Sequence, residues 1–402
     1  MRRHKTTTAL SLSLVLFFLV TMIVQPHSLA QDQKALQADA RPITEQITEG
    51  GGFTRDPSKL SKDEYVTFAA DQSFDQATFE DGLAAPEEPL LDPSDSTADD
   101  TAIAPTAIIG VNPSLPGGVD HIAAGTGTRN TGYGTIRLRG VPAGATIVRA
   151  WLYWGTVYRN PAPTSATARF NGTLVTGRRI GAPTQEPCWL FQNASFAAYR
   201  ANVRPLIVAG ANSDYKVSNL ASALTNGTDP FVCAPPFPTP ATPGSEGATL
   251  LVIYSHSSVP STARTYIHQG PALVTGNVTV TNNLSPLVPA HNLVKQTRFG
   301  ADGQVGCSLF SVGFLNGEMT ALGPNTASLV QIKGPGSGLN TNSDWNGYDG
   351  VSLNQLWDTQ TDAFGSVNGQ PNIIPNGVAQ YVVRYTGVGD CFVTVAHVLT
   401  VK

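Results

Sequence analysis

Ionic side chains are scarce in this chain: only 13% of its 402 residues are charged, about half the share of an average soluble domain. The Gly-X-Y period of collagen, sustained heptads and repeated membrane-length apolar runs are all missing, which excludes collagen, coiled coils and polytopic membrane proteins. Beyond residue 105 the bases outnumber the acids by only 17 to 12. That surplus is too dilute to form the basic stripe of a nucleic-acid binder. There is no G-x-S-x-G, no H-E-x-x-H and no glycine-rich phosphate loop at a strand-to-helix junction. Helical periodicity is scarce, and no two of the four cysteines form a C-x-x-C pair of the kind that holds zinc.

What is present begins with an export signal. Arg2, Arg3 and Lys5 precede an apolar run from Ala9 to Val24 and the small-residue ending Ser28-Leu29-Ala30. The run is interrupted by Ser11, Ser13 and Thr21 and is shorter than the ~20 residues needed to cross a bilayer. Residues 1–30 therefore read as a cleaved signal peptide, and the product as secreted, extracellular or associated with the cell surface, with no membrane span after cleavage. Residues 31–105 hold 17 acids against 5 bases and follow no period of 2 or 3.6, which predicts a disordered acidic linker.

From about residue 106 short apolar runs alternate with Gly, Pro, Asn and Asp clusters, the pattern of an all-β sandwich or barrel. Runs at 134–138, 147–154, 168–175, 215–220, 248–254, 277–281, 309–314, 328–332, 379–385 and 391–401 read as strands. In 379–385 alternate positions Tyr381, Val383 and Tyr385 share one face, with Gln380, Val382 and Arg384 on a half-wet one. In 248–254 both faces are apolar, so that strand should be central and covered on both sides. Nearly 300 residues exceed one ordinary sandwich, so two juxtaposed jelly-roll-like units at 106–270 and 271–402 are expected, with one elaborated sandwich as the alternative.

Four cysteines in an exported chain suggest two disulfides. Three connectivities are open; Cys188 with Cys233 and Cys307 with Cys391 would keep each bridge within one half. Asn342, Asp344, Asn346 and Asp349 alternate around glycines and could gather oxygens on a structural calcium ion, with Asp358 or Asp362 contributing. The same side chains could instead close Asx turns on their own backbone. Leu353 stands where the helix-loop-helix calcium motif needs a bidentate acid, so that motif is excluded. No other cofactor is called for. Along Arg149–Trp154, Arg149, Trp151 and Tyr153 share a face that would form a stacking platform for a sugar ring or an apolar partner if open, and a buried seam if covered. His121, His256, His268, His291 and His397 are scattered, and His397 falls in phase with the apolar face of its strand, which predicts a core histidine satisfied by a carbonyl. Carboxylates for a polysaccharide hydrolase would have to come from separate loops, such as those of Asp214, Glu246 and Glu318.

The segments IVRAWLYWG (147–155), FNGTLVTG (170–177), AYRANVRPLIVAGANSDYKVSNL (198–220), GATLLVIYS (247–255) and YIHQGPALV (266–274) resemble successive core segments of bacterial surface and secreted β-sandwich modules of unassigned function. Leu356–Thr359 and the closing DCFVTVAHVLTV (390–401) resemble the ending of the same group. A more distant similarity runs to galactose-binding-like jelly rolls. The resemblance implies a β-sandwich fold and supplies no catalytic positions. The expectation is a non-enzymatic adhesion or glycan-binding module whose partner is an extracellular glycan or surface protein. An extracellular polysaccharide hydrolase and a structural subunit of a surface layer or filament are the alternatives, and the oligomeric state is left open.

Overall fold

The computed structural model describes residues 115–128, 131–159, 161–185, 194–223, 242–274, 277–302, 319–332, 357–365, 373–386 and 392–402, together with 109–110 and 225. The expected signal peptide and linker, all four cysteines, the calcium candidates Asn342, Asp344, Asn346 and Asp349, the run 309–314 and Glu318 lie outside the described residues.

The chain is all-β, built from antiparallel sheets, with no α-helix among the described residues. Its strands are β1 (Ile109–Gly110), β2 (Val119–Gly127), β3 (Gly134–Leu138), β4 (Thr146–Arg159), β5 (Ser165–Phe170), β6 (Thr173–Arg179), β7 (Thr184–Gln185), β8 (Ala194–Asn202) and β9 (Ser213–Ser218). They continue with β10 (Gly244–Ser255), β11 (Arg264–Val274), β12 (Asn277–Asn283), β13 (Leu293–Asp302), β14 (Met319–Gly323), β15 (Val330–Ile332), β16 (Trp357–Gly365), β17 (Gln380–Thr386) and β18 (Phe392–Val401).

The first sheet runs β2-β10-β4-β8-β6-β5-β9-β3, with β7 added beside β8. It curls far enough for β3 to return against β2, where a Cβ on Gly134 would meet Thr126 Oγ1 at 2.5 Å. Inside the curl lies one core, in which Trp154 stacks on Tyr199 and Phe170 on Tyr215. The outer face of β2, β10, β4 and β8 carries the alternate residues, among them Trp151, Tyr153, Leu251 and Ile253. It packs on the second sheet, β1-β11-β18-β13-β16, through a second core. The opposite face of that second sheet packs on the third, β12-β17-β14-β15, around Tyr266, Val383, Tyr385, Phe392 and Leu399.

Period-2 alternation explains this layering residue by residue. In β17, Tyr381, Val383 and Tyr385 are fully buried while Gln380 is exposed. β10 pairs β2 on one side and β4 on the other, and it is buried along nearly its whole length, as its two apolar faces require.

One sequence expectation needs correction. The run 168–175 is a hairpin and not one strand: Asn171 (φ 49°) and Gly172 (φ 84°) turn the chain between β5 and β6. Asn-Gly is the pair that tolerates positive φ at both centres of a tight hairpin turn. Residue 270, set as a unit boundary, lies inside β11, where Gly270-Pro271 forms a bulge between Gln269 and Ala272. The passage from the first sheet to the second falls at 256–263.

Candidate functional site

Of the two settings open to the face of Arg149, Trp151 and Tyr153, platform or seam, the structure has the covered one at Trp151 and Tyr153. Trp151 is 2% exposed and Tyr153 0%, because the second sheet covers the outer face of β4. The Tyr153 ring meets Phe299 edge-on at 5.0 Å, and its hydroxyl donates to Gln269 Oε1 at 2.8 Å. The guanidinium over Trp151 belongs to Arg200 of the neighbouring strand, 5.3 Å from the ring centre. Arg149 turns aside and donates to the Val148 carbonyl. Period 2 puts these residues on one face; burial there arises from a sheet far along the chain, which the local pattern does not encode.

Of the acids considered for hydrolysis, Asp214 and Glu246 are not gathered either. Asp214 on β9 pairs with Arg139 at 2.5 Å at the surface, whereas Glu246 on β10 is buried, and these two strands are not neighbours in the sheet. Asp362 accepts from Gln296 Nε2 (2.9 Å) and Arg298 Nη1 (2.6 Å).

Polar chemistry concentrates in two clusters on the second sheet. The first lies between the first and second sheets, at the start of β2. Asp120 is fully buried. Its carboxylate receives Lys295 Nζ at 2.7 Å and the Lys402 ammonium, along with the Tyr254 hydroxyl at 3.2 Å and the His121 amide at 2.7 Å. Burial pushes the Asp120 carboxyl up, but the charges of Lys295 and Lys402 outweigh it and hold the group well below the usual carboxylate range. Burial in turn pushes Lys295 down, against the pull of Asp120.

Next to Asp120, His121 is bound by two threonines, Thr400 Oγ1 at 2.6 Å from Nδ1 and Thr297 Oγ1 at 2.8 Å from Nε2. The protons balance around it. Thr265 donates to the Val119 carbonyl and can therefore accept from Thr400, which accepts from His121 Nδ1; Thr297 then donates to Nε2 and accepts from Thr361. A neutral imidazole satisfies every partner. Burial, joined by the nearby Lys295 charge, holds its pKa well below the usual value.

This sets a sign for acid stability. The folded pKa is depressed, so between the unfolded value of about 6.5 and the lower folded one the unfolded chain binds the extra proton. His121 should therefore make stability fall by up to about 1.4 kcal/mol per pH unit below that value, with nothing lost above it. Urea unfolding at pH 7, 6 and 5 should show His121→Gln with a shallower dependence than wild type by about one proton. Parallel curves would refute the neutral, buried assignment.

The second cluster lies between the second and third sheets. His268 on β11 and His397 on β18 are paired directly across strands, and Tyr381 of β17 sets its hydroxyl 2.9 Å from His268 Nδ1 and 2.7 Å from His397 Nδ1. The expected burial of His397 holds; its Nε2 meets the side-chain carbonyl of Gln296 at 2.6 Å. Burial pushes the His268 pKa down to about 4 and that of His397 well below its usual value. Among the described residues no three His, Cys, Asp or Glu side chains converge as a metal centre, so this cluster stands apart through its tyrosine.

Sequence reading found His397 but missed Asp120, His121, Lys295, Lys402, His268 and Tyr381 as partners. The available signal was a buried-type strand, VDHIAAGTG, carrying Asp and His next to each other. Compared with known proteins, the chain matches no family and no curated protein.

Proposed function

We propose that this chain is an exported, non-enzymatic β-sandwich protein, acting as an adhesion or glycan-binding module at the cell surface or in the extracellular matrix. The observation that carries the reading is the way the strand faces are used. Both faces of the central strands β10 and β4 are packed, and Asp120, Lys295, His121 and Tyr381 are committed to partners inside the sheets. Such a body is a rigid scaffold, and recognition on a rigid scaffold falls to the connections between strands. By register, Gly127, Arg159, Ala194 and Gly244 lie at one end of the first sheet. Four connections therefore leave that end together. The resemblance to secreted sandwich modules and the amino-terminal signal pattern support the same reading.

The test is retention of the secreted full-length protein on insoluble polysaccharides and on envelopes of the producing cell, with bound protein and released sugar scored together. Retention without sugar release is expected. Release of sugar would replace the reading with a hydrolase. Absence of both signals, together with concentration-dependent self-association, would replace it with a structural subunit.

A further inference from the structure

The two histidine environments differ in one countable way. Around His121 every donor finds an acceptor, as set out above. Around Tyr381 the count fails. His268 Nε2 lies 3.1 Å from the Asn283 backbone carbonyl, and His397 Nε2 lies 2.6 Å from Gln296 Oε1. Both oxygens only accept, so in each neutral ring the proton sits on Nε2 and Nδ1 is a bare lone pair. The Gln296 amide cannot be turned to change this, because its Nε2 donates to Asp362 Oδ2 at 2.9 Å. Two lone pairs therefore face one hydroxyl oxygen, and a tyrosine hydroxyl has one proton to give.

An unmet acceptor in a dry core carries the desolvation penalty of its lone pair. Both rings are buried, and Arg298 is paired directly with His397 across the strands.

One more polar side chain of the third sheet is buried without a partner. Asn282 of β12 is directly opposite Tyr381 in the strand register, so the two side chains leave the sheet on the same face. Asn282 is 2% exposed, and neither its Oδ1 nor its Nδ2 has a hydrogen-bond partner.

We propose that this is a site for one first-row divalent cation of the zinc type, held by Nδ1 of His268, Nδ1 of His397 and the phenolate oxygen of Tyr381, with Asn282 Oδ1 as the fourth ligand. Two nitrogens and two oxygens suit zinc among the borderline ions. Carbonyls fixing the outer N–H of both rings are the usual support of metal-ligating histidines. Ligands at the ~2.0–2.1 Å bond lengths of a tetrahedral zinc site stand about 3.3 Å apart, so the hydroxyl, now 2.9 and 2.7 Å from the two Nδ1 atoms, has to swing off both lone-pair axes to admit the ion. Binding is balanced by release of the phenol proton to solvent, and the neighbouring Arg298 charge is met by Asp362 at 2.6 Å. The ion would tie β11 and β18 of the second sheet to β12 and β17 of the third.

The experiment uses the full-length oxidised protein secreted into zinc-supplemented medium and freed of loose metal by gel filtration. One zinc per chain is expected in wild type and in His256→Gln, whose ring bonds to Ser258 at the surface. At least tenfold less is expected in His268→Gln and in His397→Gln. A second reading needs no variant: stripping wild type with a chelator should abolish the near-ultraviolet absorbance of one tyrosinate per chain, and zinc should restore it. Metal-free wild type, variants that keep their zinc, or bound zinc without a tyrosinate signal would each overturn the proposal.

Discussion

Replacing Asp120 by alanine should cost about 3–5 kcal/mol of folding free energy, the range found when one partner of a buried ion pair is removed. The size follows from what remains. Lys295 and Lys402 have side chains only 16% and 22% exposed and converge on a carboxylate that is 0% exposed. Without it, two ammonium groups repel each other in a poorly hydrated seam, and the Tyr254 hydroxyl and His121 amide lose their acceptor. The same cluster links β2, β13 and the carboxy-terminal Lys402, so its loss should loosen the seam between the first and second sheets. Urea unfolding followed by circular dichroism measures the cost. Adding Lys295→Met and Lys402→Met to Asp120→Ala should recover part of it, because removing all the charges also removes their desolvation penalty. A loss below about 1 kcal/mol in the single variant, the size typical of surface pairs, would refute burial of the cluster. The depressed pKa of Asp120 fixes the pH sense: its stabilisation is complete above the unfolded value of about 3.9 and is lost only as pH falls through its lower folded value.

Trp357→Ala should be as damaging, at about 3–5 kcal/mol, the usual cost of truncating a large aromatic in a core. Trp357 is fully buried, on the edge strand β16 of the second sheet. Its seat on the first sheet is a pair of glycines, Gly155 and Gly247, facing each other across β4 and β10. A Cβ on Gly247 would lie 2.3 Å from the tryptophan Cγ, and one on Gly155 would lie 2.9 Å from Cζ3 and 2.4 Å from Phe196. The indole N–H donates to Thr249 Oγ1 at 2.9 Å, and that hydroxyl pairs with Thr359 at 2.8 Å. Gly247→Ala should therefore destabilise wild type by about 1–3 kcal/mol through overpacking and cost less than half as much once Trp357 is alanine. That coupling is read from a double-mutant cycle. Strictly additive losses would show that the indole does not occupy the glycine seat.

These two sites show why some of the architecture was legible and some was not. The inward set Tyr381, Val383 and Tyr385 follows from alternation alone, since side chains two residues apart on a strand must share a face. The two-sided burial of β10 follows likewise, because Leu250, Leu251, Val252 and Ile253 leave no polar face to solvate. Asn171-Gly172 carries its own turn geometry, and reading 168–175 as one run gave apolar content precedence over that signal. The glycines at 155 and 247 have no local meaning; they matter because Trp357 arrives from more than a hundred residues away.

The candidate sites lie still further from local pattern. Asp120 and Lys402 are 282 positions apart, and His121 and Thr400 are 279 apart. An Asp-His pair at the head of a strand reads as a solvated end until its partners are known. Trp151 and Tyr153 share a face in either setting, and the second sheet alone determines that the face is a seam and not a platform.

The sequence by itself determined the all-β class, the turns that punctuate it and the side of each amphipathic strand that turns inward, because backbone period and turn chemistry act over a few residues. Tertiary structure alone decided which strands became neighbours, which aromatic face was covered and which polar side chains met as His268, Tyr381 and His397 do. Those outcomes depend on pairings between segments hundreds of residues apart, where burial and hydrogen-bond satisfaction are properties of the packed sheets and not of any one strand.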